Sequence, residues 1–207
     1  MTEFFTAILH LDPMAIVKAG GYIGIAILVF AESGVLLGIF FPGDSVLFVA
    51  GLLAAGGFLS FWPLVLIVVC AAIVGDSVGY WFGVKAGNAF FKRPDSRFFK
   101  QEYVTRTQKF FEKYGGRAII LARFVPIVRT IAPILAGVGT MHYRRFLSYN
   151  IFGGLLWGAG MVSLGYFLGS VIPNSEKYVF PITLIIVVIS FFPIIANFVC
   201  NKKTVQS

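Results

Sequence analysis

The chain has 207 residues, 58% of them hydrophobic and 13% charged, with a mean hydropathy of +0.87. Ordinary soluble domains carry about 25% charged residues, so this composition describes one integral membrane domain and leaves no room for a soluble catalytic one. The net charge of +8 is concentrated: nine of the 17 Lys and Arg lie between Lys85 and Arg117, against Asp95, Glu102 and Glu112. Such a run reads as a cytoplasmic loop beside lipid headgroups. No folded module accompanies it that would suit nucleic acid.

In chain order, residues 1–19 form a short amphipathic start without a positive region or a small-residue cleavage site, so no removed signal peptide is expected. Residues 20–58 are apolar but broken at Phe41-Pro42-Gly43-Asp44-Ser45. A Pro-Gly break inside apolar sequence predicts a re-entrant helical hairpin whose irregular turn faces protein or water. The plainer alternative is two full spans joined by an exposed turn. Residues 61–84 read as a transmembrane span. Residues 85–117 form the basic linker, where Phe99, Tyr103, Phe110 and Tyr114 recur at helical spacing and suggest a helix lying in the interface. Residues 118–141, broken at Pro126 and Pro133, predict a second re-entrant hairpin. Residues 146–172 and 179–200 complete two further spans, since neither run carries a charge and each exceeds the roughly 20 residues needed to cross the hydrocarbon layer.

The chain also repeats. Shifted by 86 residues, Ala50-Gly51 falls on Ala136-Gly137, and Gly79-Tyr80 and Gly83 fall on Gly165-Tyr166 and Gly169. Each copy is preceded by a Pro-broken segment bearing ionisable residues. With residues 85–117 inside, the first hairpin enters from outside and the second from inside. Arg144, Arg145 and Lys202-Lys203 then all fall in the cytoplasm, as the charge rule requires. The expected fold is all-α and integral to the membrane: an inverted repeat of hairpin plus transmembrane helix, with an extra helix at the carboxyl end. Secondary transporters share this plan.

Four charges lie where the sequence otherwise reads as membrane. Glu32 is the only charged side chain between Lys18 and Asp44, and Arg123 and Arg129 interrupt the run from Ala118 to Ala136. An ionised group at bilayer depth costs about 2.5–3.5 kcal/mol on insertion scales and normally faces a partner, a wet cavity or a substrate. Arg123 and Arg129 suit a phosphate, which guanidinium holds through paired donors. Pro126 breaks the helix between them and lets both converge. The alternative is structural pairing with Glu32, Asp44 or loop carbonyls. Glu32 and Asp44 are the candidate proton carriers: an incoming phosphate adds negative charge and favours proton uptake. Asp44 also fits a helix cap after Pro-Gly. Asp76 is a weaker candidate that reads as a structural hydrogen-bonding residue, and Trp81 and Trp157 as interface anchors or packing. Pro42, Gly43, Pro126 and Pro133 are expected to support the hairpin turns. His10 and His142 are too few for a metal site, and Cys70 and Cys200 read as core residues. No metal and no cofactor are expected.

These residues resemble the DedA family of bacterial inner-membrane proteins, whose relatives include eukaryotic lipid scramblases. The matching pieces are Ala31-Glu-Ser-Gly34 with Phe41-Pro-Gly-Asp-Ser45, Gly75-Asp-Ser-Val-Gly-Tyr80, Pro94-Asp-Ser-Arg-Phe-Phe-Lys100 and the long run from Lys113 to Pro133. The resemblance implies proton-motive-force-dependent translocation of a phosphorylated lipid, notably undecaprenyl phosphate, across the cytoplasmic membrane. It implies a role in envelope maintenance and cell division. It places the family's acidic pair on Glu32 and Asp44 and its arginine pair on Arg123 and Arg129. The partners expected are therefore membrane lipid and protons. A general phospholipid scramblase and a proton-coupled transporter of a soluble ion or drug are the alternatives. An intramembrane lipid phosphatase is disfavoured because no histidine lies near the arginines in sequence.

Overall fold

A computed structural model describes residues 12–34, 43–91, 109–110 and 113–171. Within them the chain is helical, with no strand: α1 (Pro13–Gly34), α2 (Gly43–Ala55), α3 (Phe61–Phe91), α4 (Arg117–Ala122), α5 (Pro126–Val138), α6 (Tyr143–Gly154), a π-helical turn (Leu155–Ala159) and α7 (Gly160–Val171). Among the described residues, three helices are long and apolar enough to cross a membrane: Pro13–Gly34, Phe61–Ala86 and the continuous Tyr143–Val171. Pro42, the expected span 179–200, Cys200 and most of the basic linker lie outside the described residues.

Helix α1 starts earlier than the sequence suggests. Asp12 caps it, accepting hydrogen bonds from the Met14 and Ala15 amides. It then runs through Gly21, whose φ of 52° and ψ of −148° mark a kink that glycine alone adopts without strain. The expected hairpin start at residue 20 thus coincides with a bend, not with a helix end. Helix α2 ends in a Schellman motif: the Phe58 and Gly57 amides donate to the Leu53 and Ala54 carbonyls, with Gly57 at φ 82°. Helix α5 ends the same way, the Met141 and Thr140 amides donating to Ala136 and Gly137, with Thr140 taking the left-handed position at φ 57°.

The long helices carry large apolar side chains on their outer faces as well as in the core. Trp62, Leu66, Val74, Val78 and Phe82 point outward from α3, and Leu164, Phe167 and Val171 from α7. Small residues face inward, which lets backbones approach, as membrane helices do in the absence of a hydrophobic drive between them. Cys70, expected in the core, lies on the exposed side of α3. Gly34 of α1 meets Gly75 of α3 so closely that a Cβ on Gly34 would sit 2.9 Å from the Gly75 carbonyl oxygen.

The repeated glycines make reciprocal contacts. Gly51 of α2 abuts Val162 and Tyr166 of α7, while its counterpart Gly137 of α5 abuts Tyr80 and Val84 of α3. Gly165 of α7 lies on Phe48, and its counterpart Gly79 of α3 faces Ile134, 86 residues beyond Phe48. Each short helix therefore packs on the long helix of the other copy. The ungapped shift hides one difference: in the second copy the left-handed cap falls at Thr140, three residues before the position the shift predicts from Gly57. Two apolar cores result among the described residues. One joins α1, α2, the first half of α3, Trp157 and Val162; the other joins Tyr80, α4, α5, Met141 and Phe146. On α3, Asp76 lies in sequence between Ala72 of the first core and Tyr80 of the second.

Candidate functional site

Charged groups gather where broken helices end. Glu32 is in the last turn of α1, its side chain 1% exposed. A carboxylate there faces the negative end of its own helix, which is unfavourable. Two features offset this. Arg129 of α5 forms an ion pair with it. The first residue of α2, Gly43, lies directly against the carboxylate, leaving no space for a Cβ, so the positive end of α2 is brought to the acid. Gly43 is thus required by its close approach to the Glu32 carboxylate, and not only by a turn.

Asp44, in the first turn of α2, takes a hydrogen bond from Arg129 Nη1 at 2.7 Å and another from Trp157 Nε1 at 2.9 Å. Both partners come from other helices, so its described bonds tie α2 to α5 and to the π-helical turn and are not those of a cap. The guanidinium of Arg129 lies over the Trp157 ring, 4.8 Å from its centroid. Arg129 is 11% exposed and Asp44 19%, which makes them the most open members of the cluster.

Arg123 is held differently. The chain leaves α4 after Ala122, takes extended backbone at Val125, and re-enters helix at Pro126, the N1 position where a missing N–H costs nothing. Arg123 sits in this break and donates through Nη2 to Asp76 of α3 and to Asn150 of α6. Asn150 in turn donates to the Ile73 carbonyl at 3.1 Å. Gly153 and Gly154 make the space its side chain occupies. Its Nε is buried with no hydrogen-bond partner among the described residues.

Of the expected residues, Glu32, Asp44 and Arg129 are therefore brought together. Arg123 joins instead with Asp76, the weaker candidate, and the two arginines share no partner among the described residues. Pro126 stands at the helix break as expected. Pro133 does not support a turn: it lies buried inside α5. Trp157 is not an interface anchor, being 5% exposed and in contact with both Arg129 and Asp44. Asn150 had a legible signal, as a strongly polar amide in an uncharged apolar run. Trp157 had none, because a tryptophan among apolar residues looks alike in a core, at an interface or in a site.

The fold and this cluster define a class: a polytopic membrane protein whose ionic groups are enclosed by short, broken helices. The VTT domain profile matches residues 41–167, and the chain belongs to that family, the DedA family. It is 46% identical over 195 residues to an uncharacterised membrane protein of Mycobacterium tuberculosis (strain CDC 1551 / Oshkosh), covering 90% of this chain and 85% of that one. It is 42% identical over 179 residues to protein DedA of Escherichia coli (strain K12), covering 86% and 81%. To the inner membrane protein YqjA of the same strain it is 34% identical over 157 residues, covering 76% and 71%. No solved structure matches the chain.

Proposed function

We propose that this protein translocates a phosphorylated lipid across the bacterial cytoplasmic membrane at the expense of the proton motive force, with undecaprenyl phosphate as the first substrate to test. The observation that carries the reading is Arg129, held between Glu32 and Asp44 in apolar surroundings. A guanidinium satisfied only by carboxylates exchanges them readily for a phosphate, which offers the same acceptor geometry. Protonating a displaced carboxylate keeps the local charge balanced, so anion and proton travel together. Arg123 is engaged with Asp76 and Asn150. In this conformation it fastens the second break to α3 and α6, and it becomes a second phosphate ligand only on leaving Asp76.

The same reading includes two re-entrant hairpins. Helices α2 and α5 have 13 residues each, about 20 Å at 1.5 Å per residue, too short for a hydrocarbon core of about 30 Å. The part of α1 beyond the Gly21 kink, Tyr22 to Gly34, has the same length, although α1 as a whole is long enough to span. With the basic linker in the cytoplasm, the hairpins enter from opposite faces and their broken ends meet at Glu32, Asp44 and Arg129.

Reconstitution with labelled undecaprenyl phosphate tests the reading, leaflet exchange being measured with and without a pH gradient. Gradient-dependent exchange of the phosphate, absent for undecaprenol, is the expected result. Exchange of glycerophospholipids at the same rate without a gradient identifies a scramblase instead. No lipid exchange in any form overturns the proposal.

A further inference from the structure

Trp157 lies on the only π-helical turn among the described residues, Leu155–Ala159, between the regular helices α6 and α7. Such a turn carries one residue more than an α-helical turn and recurs at functional sites. Asn150 faces Arg123 from before the insertion, and Val162 and Gly165 pack on α2 from after it. The extra residue lets one continuous helix satisfy both demands and still aim Trp157 inward between them. Its indole then makes two contacts of different kinds: Nε1–H donates to Asp44 Oδ1 at 2.9 Å, and the ring face supports the Arg129 guanidinium at 4.8 Å. Asp44 Oδ1 is also the atom that accepts from Arg129. One side chain therefore touches both halves of an ion pair, and by stacking on the face it leaves the N–H edge of the guanidinium to Glu32 and Asp44 and, once one of them is displaced, to another acceptor.

We propose that Trp157 is the positioning residue of the Arg129 site, keeping Asp44 hydrogen-bonded and the guanidinium plane fixed when a lipid phosphate takes Arg129 away from Asp44. This rests on the translocation reading and adds a residue to it. Without the ring, Arg129 loses the surface that orients its fork, so phosphate affinity falls. Without the N–H, Asp44 has only Arg129 to turn to among its described partners, so the step in which the bound phosphate takes Arg129 from Asp44 leaves the carboxylate without a donor, its barrier rises and turnover slows. The two functions belong to different parts of the indole and separate by substitution.

Trp157→Phe keeps a ring and removes the N–H; Trp157→Leu removes both. Loss of a hydrogen bond to a charged group predicts a maximal exchange rate about tenfold lower in both variants. Loss of the cation–π contact predicts a half-saturating concentration of undecaprenyl phosphate about fivefold higher in Trp157→Leu alone. A merely packing role predicts Trp157→Phe equal to the parent in both constants, which overturns the proposal. A second readout does not need transport. In the full chain carrying Trp62→Phe and Trp81→Phe, the emission of Trp157 should shift saturably with undecaprenyl phosphate and not with undecaprenol, and Arg129→Gln should abolish the shift. Exchange that proceeds without any such shift overturns the role of Trp157 and leaves translocation standing. A phosphate-specific shift without exchange upholds Trp157 at an anion site and overturns translocation. Neither shift nor exchange overturns both.

Discussion

At the scale of single residues, the two arginines that look equivalent in sequence have different surroundings, and their substitutions should separate. Arg129→Lys keeps the charge opposite Glu32 and Asp44 but loses the planar fork and most of the contact with Trp157. Loss of one charged hydrogen bond corresponds to roughly a ten- to hundredfold lower exchange rate, with normal insertion and folding. Full activity of Arg129→Lys in vesicles would reduce Arg129 to a simple electrostatic role. Arg123→Gln is expected to act on stability, because it leaves Asp76 ionised in a site 5% exposed. Breaking a buried pair from one side costs about 3–5 kcal/mol. Adding Asp76→Asn should recover most of that loss in thermal unfolding. Recovered stability with recovered transport makes Arg123 a fastening; recovered stability without transport returns it to the substrate. The sequence disclosed that these ionic groups are buried, because a charge in an apolar run has few places to go. It did not disclose which acid meets which arginine, because the positions are 85 and 47 residues apart and only the packing of α5 and α3 decides the pairing.

At the scale of elements, the repeat is legible in glycines because close backbone approach tolerates nothing larger. Its reciprocal contacts predict matched effects from matched substitutions. Gly51→Val and Gly137→Val each press a side chain into the backbone of a long helix, Val162 in one case and Tyr80 in the other. Each should destabilise the protein by at least about 1–3 kcal/mol, the range for overpacking where neighbours can give way. Gly160, with open space for 4 Å around the place a methyl would take, should accept alanine without loss. Thermal unfolding of the purified protein in detergent measures all three. A harmless Gly137→Val would break the correspondence between the two copies. The kink at Gly21, the cap at Asp12 and the π turn were not legible. Each adjusts a helix by one residue or one bend without changing its apolar pattern, and periodicity over a long window averages such changes away.

At the scale of the whole molecule, the proposed orientation and the proposed coupling both turn on the placement of charges. Tags at Gln101 and at the carboxyl end should both report cytoplasm, as the distribution of Lys and Arg requires; tags on opposite faces would remove the inverted arrangement. Cysteine at Gly43 is a poor accessibility probe, since its Cβ would displace the Glu32 carboxylate. The proposed coupling rests on the number of charges. Glu32, Asp44, Arg123 and Arg129 alone balance, but the structure adds Asp76 to them through Arg123. Asp76 balances Arg123 apart from the others, so Glu32 and Asp44 share Arg129 alone and their ionised cluster carries one negative charge in excess even before a phosphate arrives. A bound proton relieves that excess, and Glu32, with a side chain 1% exposed, is the acid least able to relieve it through water. Glu32→Gln fixes the neutral state at that position. Arg129 keeps Asp44 and its place over Trp157, so the variant should still bind undecaprenyl phosphate in detergent. It should fail to accumulate the lipid against a gradient in vesicles, because its charge no longer follows the proton. Accumulation at the parent's level would take Glu32 out of the coupling. Loss of binding together with accumulation would make it a structural partner that Arg129 needs in order to stand in the site at all.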